Sequence, residues 1–320
     1  RVLPLLEADR LTFASGVRRT RRAAVLVSLA ALFALTIAAL PGIPARAQGQ
    51  PQREQRPPRP LIDYEAVLYR QPQLIEDTMA GIHASNPDAP STYFVGFSAF
   101  SEQDVFLREI AQAREIVDER FGTRDRSLLL VNHILALDEV PLATITNLDI
   151  ILTRLGRIMH PQKDTLILFL TSHGIENLFA IEFPPFPINH LTPPRLAEIL
   201  DKSGINNRIV IISACHSGSF IPALKHPGTI VMTASRADRA SFGCSNEADW
   251  TFFGNALFNH GLRTGKSLTD AFAAAKILIA GWEAKERFVP SEPQIFVGAE
   301  AGSMLARLPI RPAVETATTK

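Results

Sequence analysis

Thr171-Ser172-His173-Gly174 and Ser213-Ala214-Cys215-His216-Ser217-Gly218 each follow directly on an apolar run, Leu166–Leu170 for the first and Ile209–Ile212 for the second. A thiol within reach of an imidazole is an activated nucleophile: the base takes the proton and the thiolate attacks an acyl carbon. His173 and Cys215 stand 42 positions apart, so only tertiary structure can bring them together. An open parallel sheet offers one way, because the carboxyl ends of its strands share the edge at which such folds bind ligands. Gly174 and Gly218 put no side chain in the path of a substrate backbone. Ser217-Gly218-Ser219 would begin a short helix toward Leu224, with amides placed to donate to a developing oxyanion.

The elements that must deliver these residues are visible as an alternation. Strands are predicted at Thr92–Phe97, Leu128–His133, Thr165–Leu170, Arg208–Ser213, Gly228–Thr233 and Gln294–Val297. A short one, Leu178–Phe183, lies in a loop with Pro184, Pro185 and Pro187. Helices are predicted at Leu74–Ile82, Glu102–Phe121, Ile145–Met159, Pro193–Lys202, Trp250–Asn259 and Leu268–Ala284. In Glu102–Phe121 the inward positions are Val105, Ile110, Ala113, Ile116 and Val117. Continuously apolar strands alternating with helices predict an α/β fold, its sheet mainly parallel and covered on both faces. The simplest partition is one domain over 61–305, followed by a flexible tail over 306–320.

Composition is that of an ordinary globular protein, 46% hydrophobic and 20% charged, with a formal net charge of +1. The first 47 residues are basic, so the remainder is mildly acidic and offers no electrostatic reason to bind nucleic acid. Arg18, Arg19, Arg21 and Arg22 precede an apolar run over 23–40 broken only by Ser28 and Thr36. Pro41-Gly42 and Ala45-Arg46-Ala47 follow, which completes the layout of a secretory signal over 1–47, with an N-terminal extension. Left uncleaved, residues 23–40 would instead tether the protein to the inner membrane. In both cases the arginines stay in the cytoplasm and the rest is exported, with the periplasm as the expected compartment. The Gln, Pro and Arg of 48–60 read as a disordered spacer. Export puts Cys215 and Cys244 where thiols tend to pair, so a Cys215–Cys244 disulfide is a competing expectation. The remaining histidines lack metal-ligand spacing, and neither a metal nor a cofactor is expected.

The His-Gly run and the Ser-Ala-Cys-His-Ser-Gly-Ser run resemble the legumain family of asparaginyl endopeptidases, in the clan that includes caspases and the transamidase that attaches glycolipid anchors. Thr233–Cys244 is similar to the segment that walls that family's primary specificity pocket, and Asp249-Trp250 to its acidic pocket residue with an aromatic neighbour. The resemblance spans about Tyr93 to Gly298. It implies a three-layer caspase–haemoglobinase-like fold and a cysteine endopeptidase acting on peptide or protein substrates. Cys215 would be the nucleophile and His173 the proton carrier, with the amides of Gly174 and Cys215 at the oxyanion. His216, Ser241 and Asp249 would line the pocket. His216 stands where the family has an acidic residue. The family's basic pocket residue and third, orienting residue are not identifiable. The same dyad would serve a transpeptidase, in which an amine replaces water on the acyl-enzyme. With the disulfide formed, the domain would instead bind peptides without cleaving them. Oligomeric state is left open.

Overall fold

The structure, a computed structural model, describes residues 62–312. The expected signal and spacer lie outside the described residues. Among the described residues no helix is long and apolar enough to cross a membrane.

In chain order the elements are α1 (Tyr64–Ala80), β1 (Thr92–Ser98), α2 (Asp104–Phe121), β2 (Ser127–Val131), α3 (Ile145–Ile158), β3 (Thr165–Thr171), β4 (Gly174–Ile175) and β5 (Leu178–Phe179). Then come α4 (Pro193–Lys202), β6 (Arg208–Ser213), α5 (Ile221–Leu224), β7 (Thr229–Thr233), α6 (Phe252–Gly254), α7 (Leu268–Glu286), β8 (Gln294–Val297) and α8 (Ala301–Arg307). Six strands form one sheet in the order β2-β1-β3-β6-β7-β8, parallel except for β8 against β7. β4 and β5 make a separate antiparallel hairpin. The fold is thus α/β with a mainly parallel sheet, as the alternation predicts.

Strand periodicity divides the core between the two faces. Leu166, Leu168 and Leu170 of β3 pack with Leu148, Leu152 and Leu196 of α3 and α4. Ile167 and Phe169 turn to the other face, against Ile110, Phe258 and Ala275. The inward residues expected of α2 are all buried.

Four elements differ from expectation. The helix expected over Trp250–Asn259 is the three residues of α6 followed by a π turn over Asn255–Asn259. α1 starts ten residues before the predicted helix, capped by Asp63, whose carboxylate accepts from Ala66 N at 3.0 Å. Pro72 is exposed within the helix. The strand expected over Leu178–Phe183 is only the two residues of β5, followed by isolated bridges of Glu182 to Phe100 and of Phe183 to Phe186. At the far end the fold continues past 305. Ala301 and Met304 of α8 are buried with Leu308, and Arg311 N donates to Arg120 O at 2.8 Å. An apolar pair three residues apart is too short a pattern to mark a helix.

Candidate active site

β3 and β6 are direct neighbours, with Thr171 opposite Ser213. His173 and Cys215 each follow that matched pair by two residues, so equal steps beyond one register position bring both to the same edge. Ser172 N donates to Ser213 O at 3.2 Å and extends the pairing one residue further. Where the strands separate, the loops stay in contact. A Cβ on Gly174 would lie 2.7 Å from Cys215 O and 3.2 Å from Ala214 Cβ, a space only glycine leaves open. Asn177 N, at the tip of the β4–β5 hairpin, donates to Ser219 Oγ at 2.9 Å. The hairpin after the histidine is therefore pinned to the turn after the cysteine.

His173 has a defined tautomer. Its Nε2 lies 2.6 Å from Gln103 Oε1, and an amide oxygen can only accept, so Nε2 carries the proton and Nδ1 the lone pair. The ring meets Phe100 and Phe106 edge-on, with centroids 4.6 and 5.2 Å away. Burial among them lowers the imidazole's pKa, against a smaller opposing pull from the Glu182 carboxylate. The neutral, basic form is favoured.

Cys215 is half-buried and free. Its Sγ accepts from Ser241 N at 3.2 Å. His216 follows in the left-handed region (φ 56°). That turn sends its N to Arg239 O at 2.8 Å and its Nδ1 to within 2.9 Å of Ala237 O. The chain then enters a 3₁₀ turn, Ser217–Phe220, and α5, which realises the short helix expected toward Leu224. Cys244 is also a free thiol, so the competing Cys215–Cys244 disulfide is not formed in this structure. Burial pushes the Cys244 thiol up to about 12, where it stays protonated and unreactive.

Of the residues expected in the pocket, Ser241 touches the Cys215 sulfur directly and His216 is held on the adjoining loop. Asp249 is exposed and faces Arg108 of α2, with Nε 3.2 Å from Oδ1. Arg108 is the basic side chain that Asp249 meets. Gln103, just ahead of α2, is the group that orients His173. Glu109 was also missed: it lies fully buried behind the two strand ends. Its place on the apolar stripe of α2 was the available signal, since a carboxylate there requires partners.

Residues 151–303 match the model of the peptidase C13 family. No curated protein matches the chain. Among solved structures, the crystal structure of caspase-1 from Spodoptera frugiperda is similar at 13% identity, covering 65% of this chain and 86% of that one, with a TM-score of 0.48. The family match runs through both strand ends and the stretch with Ser241 and Asp249 beyond them, while Gln103, Arg108 and Glu109 precede it. Through residues 151–303 the chain is thus similar to the peptidase C13 family, the legumain family of cysteine-type peptidases.

Proposed function

We propose that the protein is an exported cysteine endopeptidase working through a Cys215–His173 dyad. The observation that supports it most is the contact of Gly174 with the Cys215 carbonyl, which holds the two loops together with no side chain between them. His173 Nδ1 takes the thiol proton while Gln103 retains the Nε2 proton. The Cys215 thiolate attacks the scissile carbonyl, and the amides of Gly174 and Cys215 receive the oxyanion. The imidazolium returns its proton to the departing amine, which leaves a thioester. Water, deprotonated by His173, then releases the acid product. Ser241, His216 and the Asp249–Arg108 pair are the proposed pocket elements. The basic stretch and apolar run over 18–47 support export.

The test is iodoacetamide labelling of the full chain beside His173→Ala and Cys215→Ser, with cleavage of a denatured protein substrate in parallel. Label should enter Cys215 and spare Cys244. His173→Ala should lower both labelling and cleavage, cleavage by about 10²–10⁴-fold, the usual contribution of a positioned general base. Equal labelling in native and His173→Ala protein would refute the dyad.

A further inference from the structure

We infer that Glu109 is a positioning residue that clamps together the strand ends bearing His173 and Cys215. This rests on the dyad reading above. The carboxyl is fully buried and its oxygens are divided between two elements. Oε2 bonds the Thr171 hydroxyl, two residues before His173. Oε1 accepts from Thr251 N at 3.2 Å and from Thr251 Oγ1 at 2.6 Å. Thr251 Oγ1 lies 2.9 Å from Ser213 Oγ, two residues before Cys215. One carboxyl therefore reaches β3 directly and β6 through a single hydroxyl, at the register pair from which both reactive residues extend. Its seat is a fitted one: a Cβ on Gly254 would stand 1.8 Å from Oε1.

Donor counting identifies the form that clamps. Gly254 N already donates to Thr251 Oγ1 at 3.0 Å, so Ser213 can complete the chain by donating to Thr251, and Thr251 by donating to Glu109. As a carboxylate, Glu109 accepts from Thr171 O–H, Thr251 O–H and Thr251 N–H, and every hydroxyl proton has an acceptor. Protonated, the carboxyl must donate through one oxygen, and one of these hydroxyls loses its acceptor. No cation pairs with Glu109 among the described residues; the titratable group that feels its charge is Cys244. Burial without a counter-charge pushes Glu109 up to about 7, so the clamp changes state near neutral pH.

The experiment is the iodoacetamide rate of Cys215 across pH in native protein, Glu109→Gln, Thr251→Val and Thr251→Ser, with thermal unfolding to establish that each is folded. Native protein should show a rise in rate near pH 7. Folded Glu109→Gln should lack that rise and react at least about tenfold more slowly above it, the equivalent of one hydrogen bond near the upper end of the usual range. Thr251→Val should also be slow, and Thr251→Ser, which keeps the hydroxyl, should recover most of the rate. A folded Glu109→Gln with the native rate and pH profile overturns the inference. If Glu109→Gln does not fold, equal rates in the two Thr251 variants overturn it. Loss of His173 dependence in the native protein would instead remove the dyad reading beneath it.

Discussion

Replacing Glu109 by Gln should alter the pH dependence of stability by an amount the structure supplies. The folded carboxyl is raised from 4.5 to about 7 by burial. At about 1.36 kcal/mol per pH unit, that difference corresponds to about 3 kcal/mol of differential stability. The sign follows from which state binds the proton more tightly, and here that is the folded one. Below the unfolded value both states are protonated and the contribution is fully present. As pH rises from about 4.5 to about 7 the unfolded chain ionises first, and the contribution is lost, completely so above the folded value. His173 works in the opposite direction, since its lowered pKa costs stability as pH falls, but it is present in both proteins and cancels in their difference. Urea unfolding of native and Glu109→Gln protein over this range gives that difference directly. Native minus variant stability should fall by about 3 kcal/mol with rising pH. A difference that stays flat within about 1 kcal/mol, or rises, would refute the reasoning, because it would mean that the three hydrogen bonds, at roughly 1.5–3 kcal/mol each to a charged acceptor, outweigh desolvation.

Two further substitutions probe the contact between the reactive loops. Gly174→Ala would set a Cβ 2.7 Å from Cys215 O and 3.1 Å from Leu178 O, both backbone atoms, so the hairpin must shift. A loss of about 1–3 kcal/mol in urea unfolding, typical of overpacking, and slower alkylation of Cys215 are expected; native stability with an unchanged rate would place the loops apart. Gln103→Ala removes the acceptor at His173 Nε2. The loss of about 1 kcal/mol of orienting energy should slow alkylation by roughly fivefold, and a mixture of imidazole tautomers should appear by ¹⁵N NMR. A single unchanged tautomer would exclude Gln103 from that role.

The strands, and the placement of His173 and Cys215 at one sheet edge, were legible in the sequence because both signals are local. Six apolar runs bounded by turns fix a parallel sheet, and His173-Gly174 and Cys215 stand immediately after two of them. Arg208–Ser213 and Pro193–Lys202 coincide with their predicted bounds for the same reason: hydrophobic periodicity ends where the element ends. The supporting residues were not legible. Gln103 reaches His173 across 70 positions, and Arg108 meets Asp249 from another element. Neither relation leaves a periodic trace, and a glutamine at the start of a helix reads as an ordinary polar residue. Glu109 is an intermediate case. Its spacing from Val105 and Ala113 places it on a buried face, which marks it as unusual without indicating that its partners come from β3 and the Thr251 turn.

These residues together suggest why the site is built with an unpaired buried acid. A leucine at 109 would fill an apolar face at no electrostatic cost but could not hold Thr171 and Thr251 at fixed hydrogen-bond distances from one point. A carboxylate does so, at the expense of stability at and above neutral pH. Burial acts on the two titrating groups in opposite senses. It lowers His173, which preserves a neutral base, and raises Glu109, which delays the full clamp until neutrality. Cys215 reactivity should therefore retain its dependence on His173 below neutral pH and gain its dependence on Glu109 only above it, so the two variants should separate along the pH axis.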